Sequence, residues 1–68
     1  MRQRIFQVLF TQYLHDGTRI GSILQPTEYS DREAADIAAW LLSAREDIVN
    51  PRFINRARSV YTKTITLK

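Results

Sequence analysis

The chain lacks cysteine altogether and has only one histidine, two glycines and two prolines. Without cysteine no disulfide can brace the fold, and no Cys/His cluster offers a structural metal site. Two glycines are too few for a glycine-rich phosphate loop. A domain of this length buries only about 60% of the surface that its unfolded chain exposes. We therefore expect one small domain, residues 1–68, that folds around one core without a metal or cofactor.

The sequence also has little that could support catalysis. The only histidine, His15, is adjacent to Asp16 in a predicted turn, and neighbouring residues on a strand point to opposite faces. No cysteine nucleophile and no metal-ligand pair at helical spacing are present. We expect a protein that is not an enzyme.

Long apolar runs are absent as well. No stretch approaches the ~20 apolar residues needed to span a membrane. The N-terminal MRQRIFQVLFTQYL is interrupted by Gln7, Thr11 and Gln12, and no small-residue cleavage site follows it, unlike a secretory signal. These features predict a cytoplasmic protein without a membrane segment.

The strongest positive signal is an amphipathic helix over residues 30–49. Ser30 and Glu33 have the spacing of a capping box, and Asn50-Pro51 is a helix stop. The period predicts that one apolar face packs on a sheet. That face comprises Ala34, Ile37, Ala38, Leu41, Ala44 and Ile48.

The apolar arc of this helix is wider than contact with one sheet requires. Alanine is a good helix former that is harmless on a surface, which is one explanation. The other is a second contact, to a partner or to a second copy, through Ala35, Ala39 and Leu42 or through Trp40. A homodimer would use the first of these surfaces.

Residues 4–14 predict a strand, and Asp16-Gly17 predicts a hairpin to a second strand, Arg19–Leu24. A two-residue loop would set Ile20 opposite Tyr13. A three-residue loop with left-handed Gly17 would set Ile20 opposite Gln12, and we prefer it because it gathers the apolar residues on one side.

Residues 59–67, SVYTKTITL, predict a third strand that follows the helix. Tyr61, Ile65 and Leu67 favour odd positions for its inward face, yet Lys63 has the same parity. Phe53 and Ile54, before this strand, are predicted to plug the sheet end. The expected fold class is α+β, a β-hairpin–helix–strand (ββαβ) with an antiparallel sheet of order 2-1-3 and one helix on one face.

Charge is distributed unevenly along the chain. Residues 1–14 contain two arginines and no acid, residues 15–50 contain all seven acids against three arginines, and residues 51–68 contain five basic residues and no acid. We expect the basic termini to meet in one edge or patch that faces away from the acidic helix. The predicted partner-binding residues on this patch, on the uncovered sheet face and on the helix are Arg4, Gln7, Thr11, Tyr13, Arg19, Trp40, Arg56, Arg58 and Lys63.

In its element order, its capped helix with Trp40 and its short length, the chain resembles small phage-encoded inhibitors of host machinery, of the RNA polymerase inhibitor or anti-CRISPR type. The resemblance implies a binding protein that occludes a functional site on a larger host protein or nucleoprotein complex. The segment FQVLFTQYLHDGTRIGSIL followed by a helix is also similar to the arm-site DNA-binding domains of tyrosine integrases, although those place all three strands before the helix. That similarity implies, as the alternative function, nucleic-acid binding by a basic sheet face.

Overall fold

The computed structural model describes residues 1–67, which form three strands and one helix. Strand β1 spans Arg2–Tyr13, β2 spans Arg19–Leu24, helix α1 spans Arg32–Val49 and β3 spans Ile54–Thr66. The strand order is β2-β1-β3, and both outer strands run antiparallel to β1. The predicted ββαβ fold and its strand order are confirmed.

The hairpin loop has the predicted three-residue form. Gly17 adopts a φ of 95°, and its amide donates to the carbonyl of Leu14 at 2.9 Å. The amide of Leu14 in turn donates to the carbonyl of Thr18 at 2.8 Å. The amide of Thr18 also donates to Asp16 Oδ1 at 2.9 Å, and this hydrogen bond lowers the pKa of Asp16.

Beyond the loop, the preferred register is wrong. Tyr13 pairs with Arg19 as that register requires, but Gln12 pairs with Gly21. Ile20 is therefore an extra residue, a β-bulge, and it shifts the rest of the hairpin into the alternative register.

Strand β3 begins five residues earlier than predicted, at Ile54, which pairs with Tyr13 instead of plugging the sheet end. It also contains a bulge, because Ile5 pairs with Lys63 while Phe6 pairs with Tyr61. Thr62 is the extra residue, so Tyr61 and Lys63 lie on opposite faces of the sheet despite their shared parity. The bulge explains why Tyr61 can face the helix while Lys63, two residues later, does not.

The two faces of the sheet differ in what covers them. We call the face that packs against α1 the helix face and the other the open face. On β1 the helix face carries Arg2, Arg4, Phe6, Val8, Phe10 and Gln12. The open face carries Gln3, Ile5, Gln7, Leu9, Thr11 and Tyr13.

Helix α1 differs from the prediction at its start and in its orientation. Asp31, not Ser30, is the N-cap, and its Oδ1 accepts from the amide of Glu33 at 3.1 Å. The helix packs on the sheet through Ala35 and Ala39, which are 0% and 3% exposed. The predicted inward face, represented by Leu41, instead points to solvent.

Polar contacts explain this orientation. Ser43 Oγ donates to the carbonyl of Asn55 at 2.8 Å, and the amide of Asn55 donates to Asp47 Oδ1 at 3.1 Å. Ser59 Oγ donates to Asp36. Because β3 is an edge strand, its outward backbone groups need partners, and the polar side of α1 supplies them at Asn55. The acidic helix therefore contacts β3. The sequence-based prediction that it faces away from the basic C-terminal segment is wrong.

The buried core is small and partly polar. Its apolar residues are Ile5, Val8, Ala35 and Ala39, and its polar residues are Thr11 and Asn55. Gln12 Nε2 donates to Asn55 Oδ1 at 3.1 Å. The radius of gyration is 13.7 Å, against about 11 Å for a compact chain of this length. The molecule is thus elongated, and much apolar surface stays outside the core.

Candidate binding surfaces

The outer side of α1 carries a continuous row of apolar residues at alternating spacings of three and four. We call this row the outer stripe; it consists of Ala34, Ile37, Leu41, Ala44 and Ile48. Ile37 is 56% exposed, Leu41 55% and Ile48 82%. With about 100° between successive helix residues, Leu41 lies about 160° from the buried Ala39. The outer stripe is therefore almost opposite the contact with the sheet.

Trp40 lies beside the outer stripe and is 70% exposed. It borders a shallow depression of about 480 Å³ between α1 and β3, together with Arg56 and Arg58. Arg56 Nη1 approaches Asp47 Oδ2 at 4.0 Å, so this arginine is oriented toward the helix. The structure thus brings three of the predicted partner-binding residues to one edge of the molecule.

Four other predicted residues lie on the open face: Gln7, Thr11 and Tyr13 as expected, and Lys63, whose face the sequence pattern left open. Three of them are engaged within the chain. Gln7 Nε2 donates to the carbonyl of Gln25 at 3.0 Å, and the hydroxyls of Thr11 and Ser22 are 3.0 Å apart.

The third engaged residue is Lys63, whose Nζ lies 2.5 Å from Glu28 Oε2. This ion pair bridges β1 at the level of Ile5, which is 5% exposed. Arg19 pairs with Tyr13 on β2, at the hairpin end of the same face. Much of the polar row on the open face therefore has internal partners, which lowers its capacity to bind a ligand.

Arg4 lies on the helix face, apart from the other predicted residues. The termini do meet, since Arg2 pairs with Thr66 and Arg4 with Thr64. However, Lys63 projects from the opposite face. The prediction that the basic termini form one patch is therefore wrong, because strand alternation and the Thr62 bulge divide them between two faces.

The surface proposed for a homodimer, Ala35, Ala39 and Leu42, is not free. The sheet covers both alanines and Leu42 is half-buried, so these residues belong to the interior of one chain. Sequence reasoning instead missed the outer stripe as a surface and assigned it to the core. Its signal was the uninterrupted 3-4-3-4 spacing, which is also that of a coiled-coil seam.

Comparison of the chain with protein-family models, with curated proteins and with solved structures gives no significant match in any of the three. Between residues 1 and 67, no helix has both the length and the apolar character needed to cross a membrane.

Proposed function

We propose that this chain is a non-enzymatic, cytoplasmic binding protein that attaches to a larger protein through the outer stripe and Trp40, and thereby occludes a functional site on it. The observation that carries the proposal is the exposure of the outer stripe on the side of α1 away from the sheet. Monomeric proteins rarely expose a large contiguous apolar patch unless it serves an interaction.

The spacing of the stripe suits one mode of recognition. An amphipathic helix that binds in a groove uses anchors at positions i, i+3 or i+4, and i+7. Ile37, Leu41, Ala44 and Ile48 follow this pattern over more than two turns. Trp40 adds a large exposed aromatic ring of the kind in which binding energy concentrates.

The composition of the stripe favours a different protein over a second copy. In a parallel pair, Ala34 and Ala44 would each face themselves, which leaves gaps in the seam. An antiparallel pair would bring Glu33 of one copy close to Asp47 of the other, and like charges repel. A groove with bulky apolar side chains would fill the space over the alanines. A basic rim on that groove would complement Glu33, whereas Asp47 already has partners on β3.

Occlusion of a site is the role of the small phage-encoded inhibitors that the chain resembles in element order. Such inhibition needs tight, stoichiometric binding and no catalytic group. A rigid helix on a sheet supports it, because a preorganised surface loses little freedom on binding.

The test compares two double variants in capture experiments from nuclease-treated bacterial lysate, followed by reconstitution with the purified partner. Ile37→Lys/Leu41→Lys puts charge on the outer stripe. Ile20→Lys/Ile23→Lys makes the same change on β2, where these residues are 49% and 65% exposed. We expect the stripe variant to lose affinity by more than about 30-fold, the size of a hot-spot loss, and the β2 variant to bind as the unmodified chain does.

Equal binding by both variants would contradict the proposal. Sedimentation equilibrium of the unmodified chain provides the second arm. A dimer that dissociates only in the stripe variant would show that a second copy occupies the stripe, and it would overturn the assignment to a larger protein.

A further inference from the structure

The sheet extends beyond the helix at the end formed by the start of β1 and the end of β3. A groove of about 1010 Å³ lies there on the helix face, at the N-terminal end of α1. Arg2 and Arg4 from β1 and Arg32 from α1 border it, and Phe6 and Tyr61 contribute aromatic rings. None of these residues belongs to the outer stripe.

The two rings form an aromatic platform. The Phe6 and Tyr61 ring centroids are 6.2 Å apart, with an edge-to-face angle of 69°. Phe6 is half-buried and supports Tyr61, which is 57% exposed. The hydroxyl of Tyr61 contacts that of Thr64, which fixes the outer edge of the ring. Tyr61 lies on this face by strand alternation with Ser59, and the Thr62 bulge brings Thr64 to the same face.

The charge around the platform has one sign. Arg2, Arg4 and Arg32 are all exposed, and no acidic side chain is among the described residues that line the groove. The nearby acid Asp31 is the helix N-cap and accepts from the amide of Glu33. Arginine donates to phosphate oxygens in a fixed bidentate geometry. Three arginines around one exposed ring therefore complement an anion that also carries a flat apolar group.

We propose that this groove binds single-stranded nucleic acid, with a base stacked on Tyr61 and adjacent phosphates held by Arg2, Arg4 and Arg32. Exposed aromatic rings on a sheet bind bases by stacking, and nearby basic side chains follow the backbone. In a duplex the faces of the bases are already stacked on one another. Its phosphates can contact the arginines, but no base is free to stack on Tyr61. The groove is separate from the outer stripe, so an experiment can contradict one of the two proposals without contradicting the other.

The test measures binding of fluorescein-labelled twelve-nucleotide oligothymidine and of a duplex of the same length by fluorescence anisotropy, over a range of salt concentrations. We expect the single strand to bind more tightly than the duplex. Three phosphate contacts would give a slope of log affinity against log salt of about −2. Tyr61→Ser should weaken single-strand binding by about 5- to 100-fold, the usual range for loss of one stacked base, and should leave duplex binding unchanged.

A matched pair of variants separates the groove from general charge. Arg2→Ala/Arg4→Ala and Arg19→Ala/Arg58→Ala each remove two exposed arginines, the first pair from the groove and the second from elsewhere. We expect only the first pair to weaken single-strand binding by more than 10-fold and to reduce the salt slope by about 1.4. All of these side chains are exposed, and circular dichroism verifies that each variant folds.

Three results would overturn the proposal. The first is no measurable binding of the single strand at low salt. The second is an equal loss in both arginine pairs, which would indicate only non-specific attraction. The third is a preference for the duplex, or competition by polyglutamate as strong as that by oligothymidine, which would show that the ring is not used.

Discussion

Gly17 determines the shape of the loop in the β1–β2 hairpin. Its φ of 95° closes the three-residue loop, and a side chain is strained in that region of backbone space. Gly21, in β2, has no such constraint, since a Cβ built there meets no atom within 4 Å and its φ is not positive. The two glycines therefore serve different purposes in the same hairpin.

This difference predicts opposite effects of the same substitution. Gly17→Ala should lower the free energy of unfolding by about 1–2 kcal/mol, because alanine is strained in the left-handed region. Gly21→Ala should leave that free energy unchanged or raise it by up to about 1 kcal/mol, because alanine loses less backbone freedom on folding. Urea denaturation followed by circular dichroism measures both. No loss of stability in Gly17→Ala would show that the loop does not need a left-handed residue.

At the scale of elements, the helix shows where sequence periodicity succeeds and where it fails. The capping signal located the start of α1 to within two residues, and the stop signal located its last residue, Val49, correctly. The 3.6-residue hydrophobic period could not identify which side of the helix is buried, because the most apolar side is the exposed outer stripe. The side that docks uses small and polar residues, Ala35, Ala39 and Asp47, whose partners on β3 become apparent only once the sheet exists.

The strands were likewise predicted correctly in their order but not in their register. Hydrophobic alternation and the Asp-Gly turn were sufficient to predict the strand order and the hairpin loop. Neither bulge could be predicted, since the extra residues Ile20 and Thr62 have side chains that are ordinary in strands. Because one extra residue reverses every following side chain, the predicted patch of partner-binding residues was divided between two faces.

The orientation of α1 predicts a contrast between two alanines. Ala35→Leu should lower the free energy of unfolding by about 1–3 kcal/mol, because Ala35 is fully buried and three more carbons would have to displace its neighbours. Ala44→Leu adds the same atoms to the outer stripe and should change that free energy by no more than about 0.5 kcal/mol. Urea denaturation followed by circular dichroism compares them. The reverse order would mean that the stripe is the buried face.

At the scale of the whole molecule, the fold is thin and elongated, with principal axes of 47, 19 and 14 Å. Within residues 1–67 its core contains four buried apolar residues, while Trp40 and the large side chains of the outer stripe stay exposed. A protein built in this way has a smaller hydrophobic stabilisation than a compact domain of its length, since that stabilisation scales with apolar area removed from water. Binding to the proposed partner would stabilise the folded state by mass action.

The exposure of the outer stripe is the observation on which the proposed function depends, and nuclear magnetic resonance can measure it directly. A soluble gadolinium chelate broadens the signals of groups that it can approach in a dilute solution of the unmodified chain. We expect strong broadening of the Ile37 and Ile48 methyl groups and of the Trp40 indole, and weak broadening at Ile5 and Val8. Protection of Ile37 and Ile48 equal to that of Val8 would contradict this result, because the stripe would then be covered by the sheet or by a second copy.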